Sequence, residues 1–238
     1  MLLDGKSVFL TGATGGIGMP LVNLLIERGA NVVAYDRTTQ GNLMESIDTT
    51  CKALREHTPD ILINLAGIND FNHAEDQDYD ALVTLNLLVP MRLCQAVLPA
   101  MRKRGSGQIV NIGSMTGLIP LPHMTGYVAA KSGLKGYSDA LRRELTGTGI
   151  TITNVTEDDP RDVARQIVNA IEHDKTDVRI GWPERLFALI NAVIPGIVDR
   201  GLRKNTAIGE EILKADQVVA PIPLIANKPD ANPRSHPA

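Results

Sequence analysis

Short apolar runs alternate along this chain with longer segments whose apolar residues recur every three or four positions. Ser7–Leu10 is apolar and ends at a glycine-rich turn, Thr11–Gly18. Leu21, Leu24, Leu25 and Ile26 follow at helical spacing up to Gly29, a residue type that commonly closes a helix. Asn31–Tyr35 and Asp60–Leu65 predict two more strands, the second apolar enough throughout to be buried on both faces. Asp80 to Met101 predicts a long helix that Pro90 kinks or breaks. A strand at Gln108–Ile112, a helix at Tyr127–Leu145 and a strand at Ile150–Val155 come next, then a helix from Pro160 to Glu172 opened by Asp159 and Pro160. Repeated βα units of this kind predict an α/β fold, a single-domain doubly wound parallel sheet with helices on both faces.

After Val155 the pattern loosens. Trp182–Leu202 is apolar and interrupted at Pro195-Gly196, and residues 221–238 hold five of the 14 prolines. The expected division is one domain over 1–215, including the apolar segment 182–202, and a Pro-rich tail over 216–238. With 238 residues, 43% hydrophobic and 21% charged, the chain is not a disordered one. A net charge of −3 gives no basic excess, which argues against a dedicated nucleic-acid binder. Cys51 and Cys94 read as reduced thiols, and Asp4 and the glycine turn stand where a signal peptide would need its apolar core. The longest uncharged apolar stretch, Leu186–Val198, is too short to span a bilayer. A cytoplasmic protein is expected. His57, His73, His123, His173 and His236 show no ligand spacing, so no metal site is expected.

The turn Thr11-Gly12-Ala13-Thr14-Gly15-Gly16-Ile17-Gly18 lies between a strand and a helix, the setting a dinucleotide fingerprint requires. Gly12 permits the tight turn, Gly16 lets backbone approach a pyrophosphate, and Gly18 lets helix and strand pack closely. With Ile17 they are the candidate cofactor contacts, and the helix N-terminus offers N–H groups to phosphate. Asp36 directly follows the second strand. A carboxylate there accepts hydrogen bonds from both hydroxyls of an adenosine ribose and repels a 2′-phosphate. NAD(H) is therefore favoured, with Arg37 leaving NADP(H) open.

Tyr127 and Lys131 are four apart on a predicted helix and project from one face. Ser114 ends the preceding strand at its carboxyl edge, where ligands bind in such sheets. A phenol with an ordinary pKa of about 10 is a poor base at neutral pH. A nearby ammonium favours the phenolate, so Tyr127 can exchange a proton with an alcohol while Ser114 holds the oxygen.

These residues resemble the short-chain dehydrogenase/reductase family over roughly residues 5–155. The resemblance rests on Thr11–Gly18, Asn64-Leu65-Ala66-Gly67, Asn86, Ser114 and Tyr127-Val-Ala-Ala-Lys131. It implies a Rossmann-type fold, with Tyr127 as acid/base, Ser114 as carbonyl anchor and Lys131 lowering the tyrosine pKa while binding the nicotinamide ribose. Asn86 would hold a water of the proton relay. Asn64, Ala66 and Gly67 would line the adenosine side, and Asp48 would contact the adenine. The implied reaction is hydride transfer between NAD(H) and a secondary alcohol or ketone, in a homodimer or homotetramer.

The chain departs from that family at two places. The stretch from Asp36 to Asp48 is too short for the helix and strand that usually intervene. Beyond Val155, Thr156-Glu157-Asp158-Asp159 runs straight into the next helix, where the family has a nicotinamide contact and a substrate-covering lid. The alternative reading is thus a catalytically silent NAD-binding or scaffold protein. For segment 182–202, core or oligomer packing is favoured over a pocket wall or peripheral membrane contact.

Overall fold

The computed structural model describes residues 2–156, 160–179 and 182–218. Six parallel strands form one sheet: β1 (Ser7–Thr11), β2 (Asn31–Tyr35), β3 (Ile61–Asn64), β4 (Gly107–Ile112), β5 (Ile150–Thr156) and β6 (Asp177–Arg179). Their spatial order is β2-β1-β3-β4-β5-β6, so the direction of winding reverses between β1 and β3. The carboxyl ends of those two strands open a crevice there, the place where doubly wound sheets bind ligands. Val8, Leu10, Ile61, Ile63, Ile109 and Val110 are almost fully buried, as strands covered on both faces must be.

Helices α1 (Gly18–Glu27) and α7 (Pro160–Glu172) cover one face, where Leu21, Leu25, Val163, Ile167 and Ile171 pack on the sheet. Helices α3 (Leu43–Glu56), α5 (Val89–Arg104) and α6 (Thr125–Glu144) cover the other, through Leu43, Ile47, Leu93, Val97, Met101 and Leu141. The short helices α2 (Arg37–Gln40) and α4 (Tyr79–Val83), and the C-terminal pair α8 (Trp182–Val193) and α9 (Pro195–Val218), complete the fold. The predicted doubly wound sheet is the observed one.

Three features refine the sequence reading. The chain enters α2 and α3 directly after β2, so no further strand among the described residues flanks β2. It becomes the sheet edge, and Val33 is left 61% exposed. The helix expected over Asp80 to Met101 is three pieces, α4, a π-helical turn at Thr84–Leu88, and α5. Pro90 falls in the first turn of α5, where its missing N–H is tolerated. By length and composition Tyr79–Arg104 suffices to cross a membrane, but its inner side buries Leu82, Val89, Leu93, Val97 and Met101 in the protein. Finally, α9 runs on to Val218, past the expected domain limit at 215. Glu157–Asp159, with the cap expected at Asp159, and residues 219–238 of the tail lie outside the described residues. Cys51 and Cys94 are buried free thiols.

Candidate active site

The glycine turn is built by steric necessity at two points. Gly12 has φ +78°, and a Cβ on it would stand 2.9 Å from the backbone of Ala66. A Cβ on Gly18 would stand 2.1 Å from the carbonyl oxygen of Gly12, closer than two atoms can sit. A Cβ on Gly16 would meet nothing within 4 Å. Thr11 ties this turn to the end of β3, its Oγ1 accepting from the N–H groups of Leu65 and Ala66, both at 3.1 Å.

Beside the turn lies a cavity of about 750 Å³. Gly12, Gly16, Ile17, Gly18, Asp36, Ala66 and Gly67 of the expected cofactor contacts line it. No side chain caps the N-terminus of α1, and its first turn holds no acidic residue, so its positive pole suits an anion. The volume is that of a small-molecule or cofactor site. A nicotinamide dinucleotide fits this cradle: glycine backbone and a helix N-terminus for phosphate, a carboxylate at the ribose position, and apolar Leu43, Met44 and Leu65 for a ring.

Asp36 is 7% exposed and already engaged on both oxygens. Oδ1 accepts from Thr38 N at 2.8 Å and Thr38 Oγ1 at 2.6 Å, while Oδ2 accepts from Thr14 Oγ1 and from Thr14 N at 3.4 Å. The Thr14 hydroxyl, then the Thr38 hydroxyl and amide, hold its carboxyl well below the usual carboxylate range. Asp36 thus joins the glycine turn to α2 and stays charged at any physiological pH.

Two expected cofactor residues are not at the cavity. Asp48 lies on α3, strongly exposed and paired with Arg92 of α5; without a strand before it, α3 carries Asp48 round to the α5 side. Asn64 ends β3 and is 3% exposed. Its Nδ2 donates to Asn111 Oδ1 at 2.7 Å, and Asn111 Nδ2 donates to Ser138 Oγ at 2.9 Å. This amide ties β3 to β4 and α6, while Leu65 takes a place on the cavity wall and against the core.

The other four expected residues gather around the carboxyl end of β4. Lys131 is nearly buried, and its Nζ donates to the carbonyl of Ile112 at 2.8 Å and stands 5.5 Å from the Tyr127 ring centroid. Burial pushes its pKa down to about 8. Ser114 Oγ accepts from Thr116 N at 3.2 Å and Thr116 Oγ1 at 3.0 Å, which turns its own proton outward as a donor. Gly117, next along the chain from Thr116, packs on the backbone of Lys131 and docks the Ser114 turn on α6. Asn86, fully buried in the π turn, donates to the carbonyls of Ile68 at 2.8 Å and Leu82 at 2.9 Å. Both amide protons are committed there. Gly67 joins cavity and cluster: a Cβ on it would lie 2.6 Å from Asn86 Oδ1 and 3.7 Å from Lys131 Nζ.

Thr14, Thr38, Asn42, Leu43 and Met44 were not among the expected site residues. Leu43, Ile47, Cys51 and Leu54 already show the helical period of α3, and Asn42 is its N-cap, accepting from Met44 N at 3.1 Å and donating its Nδ2 to Glu45 Oε1 at 3.0 Å. Nor did spacing along the chain reveal that His73, His123 and Glu210 meet in space.

Fold and site together define a Rossmann-type oxidoreductase that uses a nicotinamide dinucleotide. A family model described as short chain dehydrogenase matches residues 42–159. The 3-oxoacyl-[acyl-carrier-protein] reductase FabG of Vibrio harveyi is 31% identical over 200 residues, covering 74% of this chain and 80% of that protein. The ketoacyl reductase HetN of Nostoc is 30% identical over an alignment of 258 positions, gaps included, covering 83% of this chain and 88% of HetN. Among solved structures, the bulky-bulky ketone specific alcohol dehydrogenase of Comamonas testosteroni superposes with a TM-score of 0.70 at 26% identity, covering 82% of this chain and 94% of that one. The chain belongs to the short-chain dehydrogenase/reductase family.

Proposed function

We propose that this protein reduces a ketone to a secondary alcohol with NADH, or runs the reverse oxidation, and that Ser114, Tyr127 and Lys131 handle the proton. The observation that carries this reading is the junction at Gly67, where the cavity wall touches both Asn86 and Lys131, and Lys131 reaches under Tyr127. The bound nicotinamide would give or take the hydride. Ser114 donates its proton to the substrate oxygen, and Tyr127 delivers a proton to the same oxygen as it becomes an alkoxide. With a pKa of about 8, Lys131 is still charged at pH 7, and its ammonium draws the Tyr127 pKa toward neutrality. Asn86 positions Ile68 and the end of β3, and Pro90 lacks the N–H that an α-helix would direct at the Asn86 carbonyl. That carbonyl suits the relay water better than the committed side-chain amide.

The preference for NADH rests on Asp36, whose permanent charge opposes a 2′-phosphate. The direction toward ketone reduction, on an acyl-chain ketone, follows the names of the two curated relatives. Assembly as a homodimer or homotetramer is part of the same reading. Tyr127→Phe should lower kcat for ketone reduction by about 10²–10⁴-fold, the usual range for losing a positioned acid/base, while NADH binds as before. Turnover unchanged by this substitution would remove Tyr127 from the mechanism. A second reading, nucleotide binding without turnover, is favoured by one observation. Thr156 ends β5 and Pro160 begins α7, which leaves no length for a lid.

A further inference from the structure

Outside the dinucleotide cavity, three side chains distant in sequence meet over the carboxyl edge of the sheet. His73 lies in the connection after β3, His123 in the loop before α6, and Glu210 on α9. The Nε2 atoms of His73 and His123 each stand 3.8 Å from a different carboxylate oxygen of Glu210. One ligand atom from each residue lies within 4.8 Å of the others. The rings of His73 and His123 meet edge to face with centroids 5.5 Å apart, and both imidazole–carboxylate distances are too long for a hydrogen bond.

His123 supplies an independent sign. Its side chain is 7% exposed, and its Nε2 is buried with no hydrogen-bond partner. Such an atom calls for an explanation, and an ion is one of the few available. Its backbone is left-handed, with φ +62°, a conformation that histidine enters more readily than most residues. The His123 carbonyl is fixed there by Asn72 N and Gln77 Nε2, each at 3.0 Å. On the opposing helix, a Cβ at Gly209 would fall 2.5 Å from His123 Cδ2, so glycine is what lets α9 close on the ring. A desolvated ring nitrogen and a close helix approach set this imidazole against the Glu210 carboxylate.

Two imidazoles and a carboxylate are the donor set of a three-ligand zinc site. Bonds of about 2.0–2.2 Å in a tetrahedron put ligand atoms about 3.3–3.6 Å apart, so a set of one atom per residue that now lies within 4.8 Å closes by about an ångström on a cation. We propose that His73, His123 and Glu210 bind one zinc ion, with water in the fourth position. The ion fastens α9 onto the loops that lead from β3 and β4, directly before the helix that carries Tyr127. It takes no part in hydride transfer, and the proposal stands apart from that reading.

The test uses the full chain, stripped with a chelator and titrated calorimetrically with zinc chloride, with hydrogen exchange followed across α9. The expected result is one zinc per chain and slower exchange in α9 once zinc is bound. His73→Ala and Glu210→Gln, at partly exposed positions where folding tolerates change, should each weaken zinc binding beyond the roughly 10–100-fold typical of losing an outer-shell partner. His173→Ala, at the exposed end of α7, should leave it unchanged. Absence of stoichiometric zinc, or zinc held equally by the His73 and Glu210 variants, would overturn the site. Zinc bound without slower exchange in α9 would overturn its fastening role.

Discussion

Asp36 carries two duties that pull on the same oxygens. Its carboxylate is held by Thr14 and Thr38, and in the proposed function it also meets an adenosine ribose. A ribose hydroxyl can enter only if one threonine hydroxyl turns away, so cofactor binding should reset the link between the glycine turn and α2. Asp36→Asn removes the charge and keeps the shape, and the ratio of NADH to NADPH affinity should fall accordingly. The same substitution has a signature in acid. The folded-state pKa of Asp36 lies below its unfolded value of about 3.9, so its stabilising contribution is complete above that pH and is lost as pH falls further. Unfolding followed from pH 6 down to pH 2 should show a loss in the natural protein that Asp36→Asn lacks. Parallel curves would mean that the Thr14 and Thr38 contacts add nothing to folding.

At this scale the sequence foresaw which residues gather at the end of β4 and misplaced residues whose position depends on a neighbour. Tyr127, Lys131 and Ser114 could be picked out because few other roles need that set on one helix face and one strand end. Asp48 and Asn64 could not be placed. Which way a carboxylate or an amide turns is decided by the strand missing before α3 and by the Asn111–Ser138 pair across the sheet.

Between elements, the glycine turn makes close backbone approaches, and its four glycines are not equivalent. Gly18→Ala drives a methyl into the Gly12 carbonyl where neither backbone can retreat. It should destabilise the fold by more than the roughly 1 kcal/mol of an average substitution, toward the few kcal/mol of overpacked sites. Gly16→Ala meets only open space and should leave thermal stability nearly unchanged while weakening dinucleotide binding, because its methyl enters the cavity. Melting curves and cofactor titrations of the two variants should separate these effects. Strands β1 to β5 and helices α1, α6 and α7 were legible because their apolar periods are long and clean. Helix α3 shows an equally regular period, but no element was assigned to it. The three-residue β6 is too short to leave a pattern. The π turn at Thr84–Leu88 is invisible to periodicity, since its extra residue shifts the phase by less than one turn.

For the whole molecule, the reversal between β1 and β3 decides where the site must be, and alternating strands and helices were enough to foresee it. What the chain lacks shapes the rest. Its alignment with HetN spans 258 positions, more than its own 238 residues, so that relative holds segments with no counterpart here. β2 forms one edge of the sheet, and α8 and α9 reach the loop after β4, through Asn191 to the Leu118 carbonyl at 3.2 Å and through Gly209 to His123. The segment 182–202 is neither plain core nor plain surface. Val198 is buried, while Leu186, Leu189, Val193 and Ile194 are exposed.

The central claim is that the cavity between the glycine turn, Asp36 and Gly67 holds NADH beside a working proton-transfer group. Titration of the full chain with NADH and NADPH, followed by cofactor fluorescence, tests it most directly. The account predicts saturable, stoichiometric NADH binding that is clearly tighter than NADPH binding. Binding of neither cofactor, or tighter binding of NADPH, would contradict it.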